Sequence, residues 1–208
     1  MIAALRRRPL AALYDPIASG WHAGVQKQGD PAAYQALVAA HPLGARRVLD
    51  VGAGTGHFAL AWVARAGVPD ALTLLDPSRP MLADAAGRLA ASGVDADLLE
   101  DSVGTDAIAP ASMDVVLCAH VIEHLEDPTA ALSWMRTRLR PGGRLYLASS
   151  QPHWCTALVR MRYGHRAFRP HEVNTMLAAA GFARVTPVAF AAGPPSRMSH
   201  GYVADRPT

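Results

Sequence analysis

The sequence predicts an α/β fold, a parallel sheet covered by helices. Past residue 45, short aliphatic runs alternate with longer Ala/Leu segments of helical period, and three closely spaced glycines stand where the first run must turn into a helix. The runs Arg47–Val51, Ala71–Asp76, Ala96–Glu100, Met113–Cys118 and Gly143–Ser149 each have the length of a buried strand. Arg79–Ala91 and Pro128–Leu139 are the clearest helices between them. In the second, Leu132, Met135 and Leu139 share a face, and Pro141-Gly142-Gly143 stops the helix and returns the chain to a strand. A further helix is expected around Glu172–Ala180, striped by Val173, Met176, Leu177 and Ala180 and capped by Gly181. Arg184–Phe190 and Met198–Ala204 read as an antiparallel pair at the sheet's edge, joined by the turn Ala192-Gly193-Pro194-Pro195. Ahead of the sheet, Pro9–His41 is mostly helical with breaks near Ser19–Gly24 and Gly29–Pro31. The expected division is a helical cap over residues 1–45 and a ligand-binding domain over 46–208, with 151–169 as a segment covering a second ligand.

Composition narrows the function classes. The chain has 208 residues, half of them hydrophobic, enough for a core without disulfide or metal staples. Its formal charge is only +3, with one lysine, Lys27, among 20 basic side chains. No polybasic tract stands out, so nucleic acid is not the expected partner. Cys118 and Cys155 make no disulfide framework, and the stretch Met1–Leu13 carries three arginines followed by too short an apolar run for export. A cytoplasmic protein without a membrane span is expected.

The segment Asp50-Val51-Gly52-Ala53-Gly54-Thr55-Gly56-His57 puts glycines at a strand-to-helix turn, where the backbone can approach a ligand closely. The Gly-x-Gly-x-Gly spacing differs from the pyrophosphate-binding Gly-x-Gly-x-x-Gly, and no Lys-Ser/Thr pair makes a P-loop. Asp50, two residues before the first glycine, would repel a phosphate and suit a cationic ligand. Asp76 ends the next run, where a carboxylate can accept both hydroxyls of a ribose, and Asp101 ends the third, where it could meet an adenine amino group. The plain alternatives are a ligand-free turn at the glycines and helix-capping roles for the two aspartates.

Taken together with Leu75-Asp76-Pro77-Ser78, Glu100-Asp101-Ser102, Glu123-His124-Leu125 and Leu139-Arg140-Pro141-Gly142-Gly143, this loop resembles the class I S-adenosylmethionine-dependent methyltransferases, in particular small-molecule enzymes similar to the ubiquinone/menaquinone-biosynthesis group. The resemblance implies a Rossmann-like three-layer sandwich, its seven-stranded, mostly parallel sheet ending in an antiparallel last strand. It implies methyl transfer from S-adenosylmethionine, with S-adenosylhomocysteine as product, to an oxygen, nitrogen or carbon of a small-molecule acceptor. Gly52, Ala53, Gly54 and Gly56 would cradle the methionine part, with Asp50 supporting the loop and holding the amino group. Asp76 would bind the ribose, Pro77, Ser78 and Met81 would flank the adenine, and Asp101 and Ser102 would read its edge. Cys118, Ala119 and His120 would border the sulfonium, and Tyr14 would close over the cofactor.

Methyl transfer from a sulfonium needs alignment and exclusion of water more than acid-base chemistry. A hydroxyl acceptor still benefits from a base, for which His120 and His153 are the candidates. Trp21, His124, Trp154, Arg162 and His165 are candidates for acceptor binding. The arginines at 160, 162, 166 and 169 could clamp an anionic acceptor or merely form a solvated face. His120-Val121-Ile122-Glu123-His124 spells a zinc pattern, but it follows a strand rather than lying on a helix, so no metal is expected. The rival classes are an S-adenosylmethionine-binding protein that transfers no methyl group, an RNA methyltransferase and a nicotinamide oxidoreductase. A homodimer remains open.

Overall fold

A computed structural model describes residues 30–153, 166–191 and 193–208. Its strands are β1 (Arg47–Val51), β2 (Ala71–Leu75), β3 (Asp97–Leu99), β4 (Met113–Ala119), β5 (Leu139–Ser150), β6 (Ala183–Val188) and β7 (Ser199–Asp205). Its helices are α1 (Asp30–Ala40), α2 (His57–Ala66), α3 (Arg79–Ala91), α4 (Pro128–Arg138), α5 (Pro170–Ala179) and the single turn α6 (Pro195–Met198). The seven strands form one sheet in the order β3-β2-β1-β4-β5-β7-β6. β1 to β5 run parallel, and β7 is antiparallel to both its neighbours.

Both sheet faces are covered, so the strands are nearly continuous apolar runs whose side chains alternate between two cores. Val48, Leu72, Leu74, Val115 and Leu117 meet Leu37 of α1, Phe58 and Trp62 of α2, and Leu82 and Leu89 of α3. Leu49, Val51, Val116 and Leu147 meet Leu132 and Met135 of α4 and Val173 and Leu177 of α5 on the other face. The helix α1 belongs to the first of these cores, with Tyr34 stacked on Phe58 at 4.7 Å between ring centroids.

Two sequence expectations change. The fourth helix stops at Arg138, and Leu139 already pairs with Met113, because Pro141 lies within an extended β5 rather than ahead of it. The chain after Gly193 winds into α6 before β7. The terminal antiparallel pair lies at the sheet's edge as expected, with β7 between β5 and the outermost β6, which carries Pro187.

The register sets the site. Val51, Leu75, Leu99 and Cys118 lie level across β1, β2, β3 and β4. The segments beginning at Gly52, Asp76, Glu100 and Ala119 therefore leave the sheet along one edge. The order reverses between β1 and β4, and the crevice at such a reversal is where an open parallel sheet takes its ligand.

Candidate functional site

The glycine loop is built from its contacts with the next strand. The N–H groups of Gly52 and Ala53 both donate to the Leu75 carbonyl, at 2.7 and 3.1 Å, and that of Gly56 donates to Ala53. The Gly54 N–H donates to Asp76 Oδ2 at 2.8 Å. Thr55 Oγ1 and His57 Nδ1, both buried, lie 2.9 Å apart and pin the turn from within. The amide donors of Gly52, Ala53, Gly54 and Gly56 are thus all engaged inside the protein. Phosphate recognition at a strand-to-helix turn needs such donors free, so the loop is chemically unsuited to a pyrophosphate and compatible with a cation.

The three glycines serve different ends. A Cβ on Gly52 would lie 2.2 Å from Val121 Cγ2, so this residue lets the loops after β1 and β4 touch and close the crevice floor. A Cβ on Gly56 would press against Ala85 of α3 at 3.0 Å. Only a Cβ on Gly54 would meet open space, and that residue has φ +51°. Of the three, Gly54 alone has the character of a ligand-facing surface.

Asp50 lies beneath the loop, 1% exposed, with Oδ2 accepting the Ala59 N–H at 3.0 Å. The helix α2 has no capping side chain of its own, since its N-cap is Gly56, and Asp50 takes that role from β1. Burial pushes the Asp50 pKa to about 8, the Ala59 N–H opposing the shift and Asp76 adding to it. The carboxyl sequence reasoning gave to a ligand's amino group is therefore engaged with α2 and arranged to support the loop from inside.

Asp76 lies just past the end of β2, beside Gly54. Its Oδ1 accepts the Ser78 N–H at 2.9 Å. The helix-capping role falls instead to Ser78, whose hydroxyl accepts from Met81 N. Ser78 and Met81 are buried, and Pro77 is half-buried between Asp76 and Ser78. Asp101 differs from Asp76 in being exposed, its carboxylate accepting from Ser102 N–H at 2.7 Å and Thr105 Oγ1 at 2.6 Å. Those hydrogen bonds hold its pKa below the usual carboxylate value. Asp101 and Ser102 shape the loop after β3, at the same edge as Asp76. Cys118 is fully buried in the core, so any ligand beside it would meet backbone rather than thiol; Ala119 and His120 are half-buried next to it.

His120 has φ +56°, in the left-handed region. Its N–H still continues the ladder to Ala148 at 2.9 Å, after which the chain turns into a 3₁₀ turn over Ile122–His124. A bulky residue held there costs of order 1–3 kcal/mol, and such strain clusters at functional sites. The ring Nδ1 lies 3.2 Å from Glu123 Oε1 and 3.1 Å from Ser150 Oγ. Among the described residues no metal-binding group of His, Cys, Asp and Glu occurs, and the zinc-like pattern lies on this short turn. His124 and His153 are half-buried, with the His124 N–H donating to Val121. Arg166 clamps backbone: its guanidinium donates to the carbonyls of Leu125 and Glu126, which removes it from the anion-clamp candidates. Tyr14, Trp21, Trp154, Arg162 and His165 lie outside the described residues. Sequence reasoning missed Val121 and Ser150, and used Glu123 only as part of a motif. The left-handed turn that brings these residues to His120 has no glycine to signal it.

The geometry agrees with what the chain is similar to. Residues 49–145 match a family model described as a methyltransferase domain. A ubiquinone biosynthesis O-methyltransferase of Azotobacter vinelandii is 29% identical over 158 residues, 68% of this chain and 66% of that protein. A second of that name, from Xanthomonas euvesicatoria, is 36% identical over 51% of this chain and 44% of its own length. The chain thus spans from under half to about two thirds of these relatives. Among solved structures, a SAM-dependent methyltransferase from Thermotoga maritima superposes with TM-score 0.74 at 17% identity, covering 95% of this chain and 100% of that one. The [4+2]-cyclase SpnF does so with TM-score 0.79 at 15% identity, covering 96% and 95%. Among the described residues no helix is long and apolar enough to cross a membrane.

Two predictions separate support of the loop from ligand contact. Gly52→Ala should destabilise the protein by about 2–5 kcal/mol through overpacking against Val121 and left-handed strain, with part recovered by adding Val121→Ala. Gly54→Ala should cost about 1–3 kcal/mol from strain alone, and denaturant unfolding compares them. For Asp50 the folded pKa lies above the unfolded one, so the folded state holds the extra proton. Its contribution should fall as pH rises from about 4 to about 8 and then level off. In Asp50→Asn that part of the slope should vanish from a pH series of melting temperatures.

Proposed function

We propose that the chain, whose residues 49–145 match a methyltransferase-domain model, is a class I S-adenosylmethionine-dependent methyltransferase that binds S-adenosylmethionine over the carboxyl ends of β1–β3 and methylates an oxygen of a small hydroxylated acceptor. The observation that carries this is the donor-spent glycine loop, open at Gly54, with the Asp76 carboxylate beside the opening. A cationic nucleoside with a ribose diol suits such a site, and a dinucleotide pyrophosphate does not. The cofactor, when bound, supplies a methyl carbon already activated by its sulfonium.

The protein's share is orientation and proton handling. Asp76 accepts from the ribose hydroxyls; Pro77, Ser78 and Met81 border the adenine, with Asp101 and Ser102 toward its edge. Gly52, Ala53, Gly54 and Gly56 shape the space for the methionine part, supported by Asp50. His120, partly exposed at the tip of β4, takes the acceptor's proton, and a hydroxyl is the acceptor type for which such a base matters. His153 and His124 flank the acceptor's side. The names of the curated relatives support oxygen as the methylated atom.

A second reading is a protein that binds the cofactor without donating its methyl group, since a chain named a [4+2]-cyclase shares this fold. Transfer of radiolabelled methyl to a panel of hydroxylated aromatics decides between them. The first reading expects an O-methylated product. Tight binding of S-adenosylhomocysteine with no transfer to any acceptor supports the second.

In calorimetry, Asp76→Ala should weaken S-adenosylhomocysteine binding about 10- to 100-fold, since a hydrogen bond to a charged group contributes about 1.5–3 kcal/mol. Gly54→Val should abolish binding by filling the opening. His120→Ala should lower kcat about 10²- to 10⁴-fold while leaving S-adenosylhomocysteine affinity unchanged. Binding of NAD in preference to S-adenosylhomocysteine would overturn the cofactor assignment.

A further inference from the structure

We propose that Glu123 is the positioning residue for His120, holding its ring with the proton on Nδ1 and leaving Nε2 as the basic nitrogen. The inference rests on the proposed transfer to a hydroxyl acceptor with His120 as base.

Glu123 is 1% exposed, on a three-residue turn, and a buried carboxylate is costly unless it is held by partners. Oε1 accepts the Ser150 N–H from the end of β5 and faces His120 Nδ1. Burial raises the Glu123 pKa, but the His120 hydrogen bond and charge and the Ser150 N–H outweigh it, so the group stays ionised. An ionised carboxylate only accepts hydrogen bonds. A hydrogen bond from Nδ1 to this carboxylate puts the hydrogen on Nδ1, and Nε2 is then the nitrogen with a lone pair in the neutral ring. No other described residue bonds to that nitrogen. Ser150 Oγ also reaches Nδ1, so the ring is fixed on one side by two residues while 30% of the side chain remains exposed.

The anchoring is tied to both neighbouring segments. The Glu123 carbonyl accepts the Arg166 N–H at 3.0 Å, and the Ser150 carbonyl accepts the Phe168 N–H at 2.9 Å. The end of the acceptor-covering segment is thus fastened to the two residues that hold the histidine. Glu123 Oε2 is buried with no hydrogen-bond partner among the described residues.

The charged groups acting on His120 are Glu123 and Asp30 of α1, and the Glu123 charge in turn raises the pKa of Tyr34 of α1, Cys118 of β4 and Tyr202 of β7. Burial disfavours the imidazolium, but the Glu123 hydrogen bond and charge, aided by Asp30, more than offset this, and the net shift is upward. Removing the Glu123 charge therefore lowers the pKa, so the neutral ring persists to lower pH.

The test is nitrogen NMR of His120 in the full chain saturated with S-adenosylhomocysteine. The wild type should show the Nδ1–H tautomer and a pKa above 6.5. E123Q should lower that pKa by about one unit or more, and should move the acidic limb of kcat/KM in the same direction and by the same amount. An Nε2–H tautomer in the wild type, or an unchanged pKa in E123Q, would overturn the proposal. Should E123Q fail to fold, the wild-type tautomer still decides, together with S150A. In S150A the Nδ1–H tautomer should persist, and its loss would assign the positioning to the serine instead. A fully active H120A removes the base while the tautomer and pKa still report on Glu123, so the two failures are distinguishable.

Discussion

The turn after β1 is held by the strand beside it, and the rest of the site follows from that. With two loop amides on the Leu75 carbonyl and a third on Asp76, the tips of β1 and β2 are one hydrogen-bonded unit. The direction of these bonds sets the chemistry of the opening. Donors turned inward leave a surface that cannot solvate an anion, and the carboxylate that captures one of them stays at the rim. Ligand selectivity at this edge is therefore a consequence of how the backbone satisfies itself, which the glycine count alone does not express.

Strands and helices were legible because each strand is buried on both faces and each long helix shows one apolar stripe. The expectations went astray where local signals compete with tertiary pairing. Pro141 and Gly142 announce a break, yet β5 begins ahead of them, since Leu139 pairs with Met113 while residues 140–143 bulge out of the β4 ladder before Arg144 resumes it at Val115. The acidic residues that follow the apolar runs were visible in the sequence, and the register brings Asp76 and the glycine loop together. Asp50 was visible only as a charge near glycines. Its contact with Ala59 depends on how α2 seats on the sheet, and no spacing rule contains that.

The second half of the site was harder to see. His120 was a candidate by position, but its orientation depends on a left-handed backbone at a residue other than glycine and on a glutamate three residues later in a short turn. A motif search on the same residues finds a metal pattern. The structure instead pairs the first histidine with the glutamate, while Val121, between them in sequence, packs over Gly52. One five-residue stretch thus closes the crevice floor and orients the ring above it, which links the loops after β1 and β4 mechanically as well as chemically.

The position of β7 has a consequence for biosynthesis. Ribosomal synthesis releases β5 and β6 before the strand that must separate them, so the flank of β5 waits with its hydrogen-bonding groups unsatisfied until Ser199–Asp205 emerges. During that interval β6 is a competing partner for the vacant flank. Pro187 lessens the hazard, because a strand interrupted by an imino acid makes a poorer substitute in the gap.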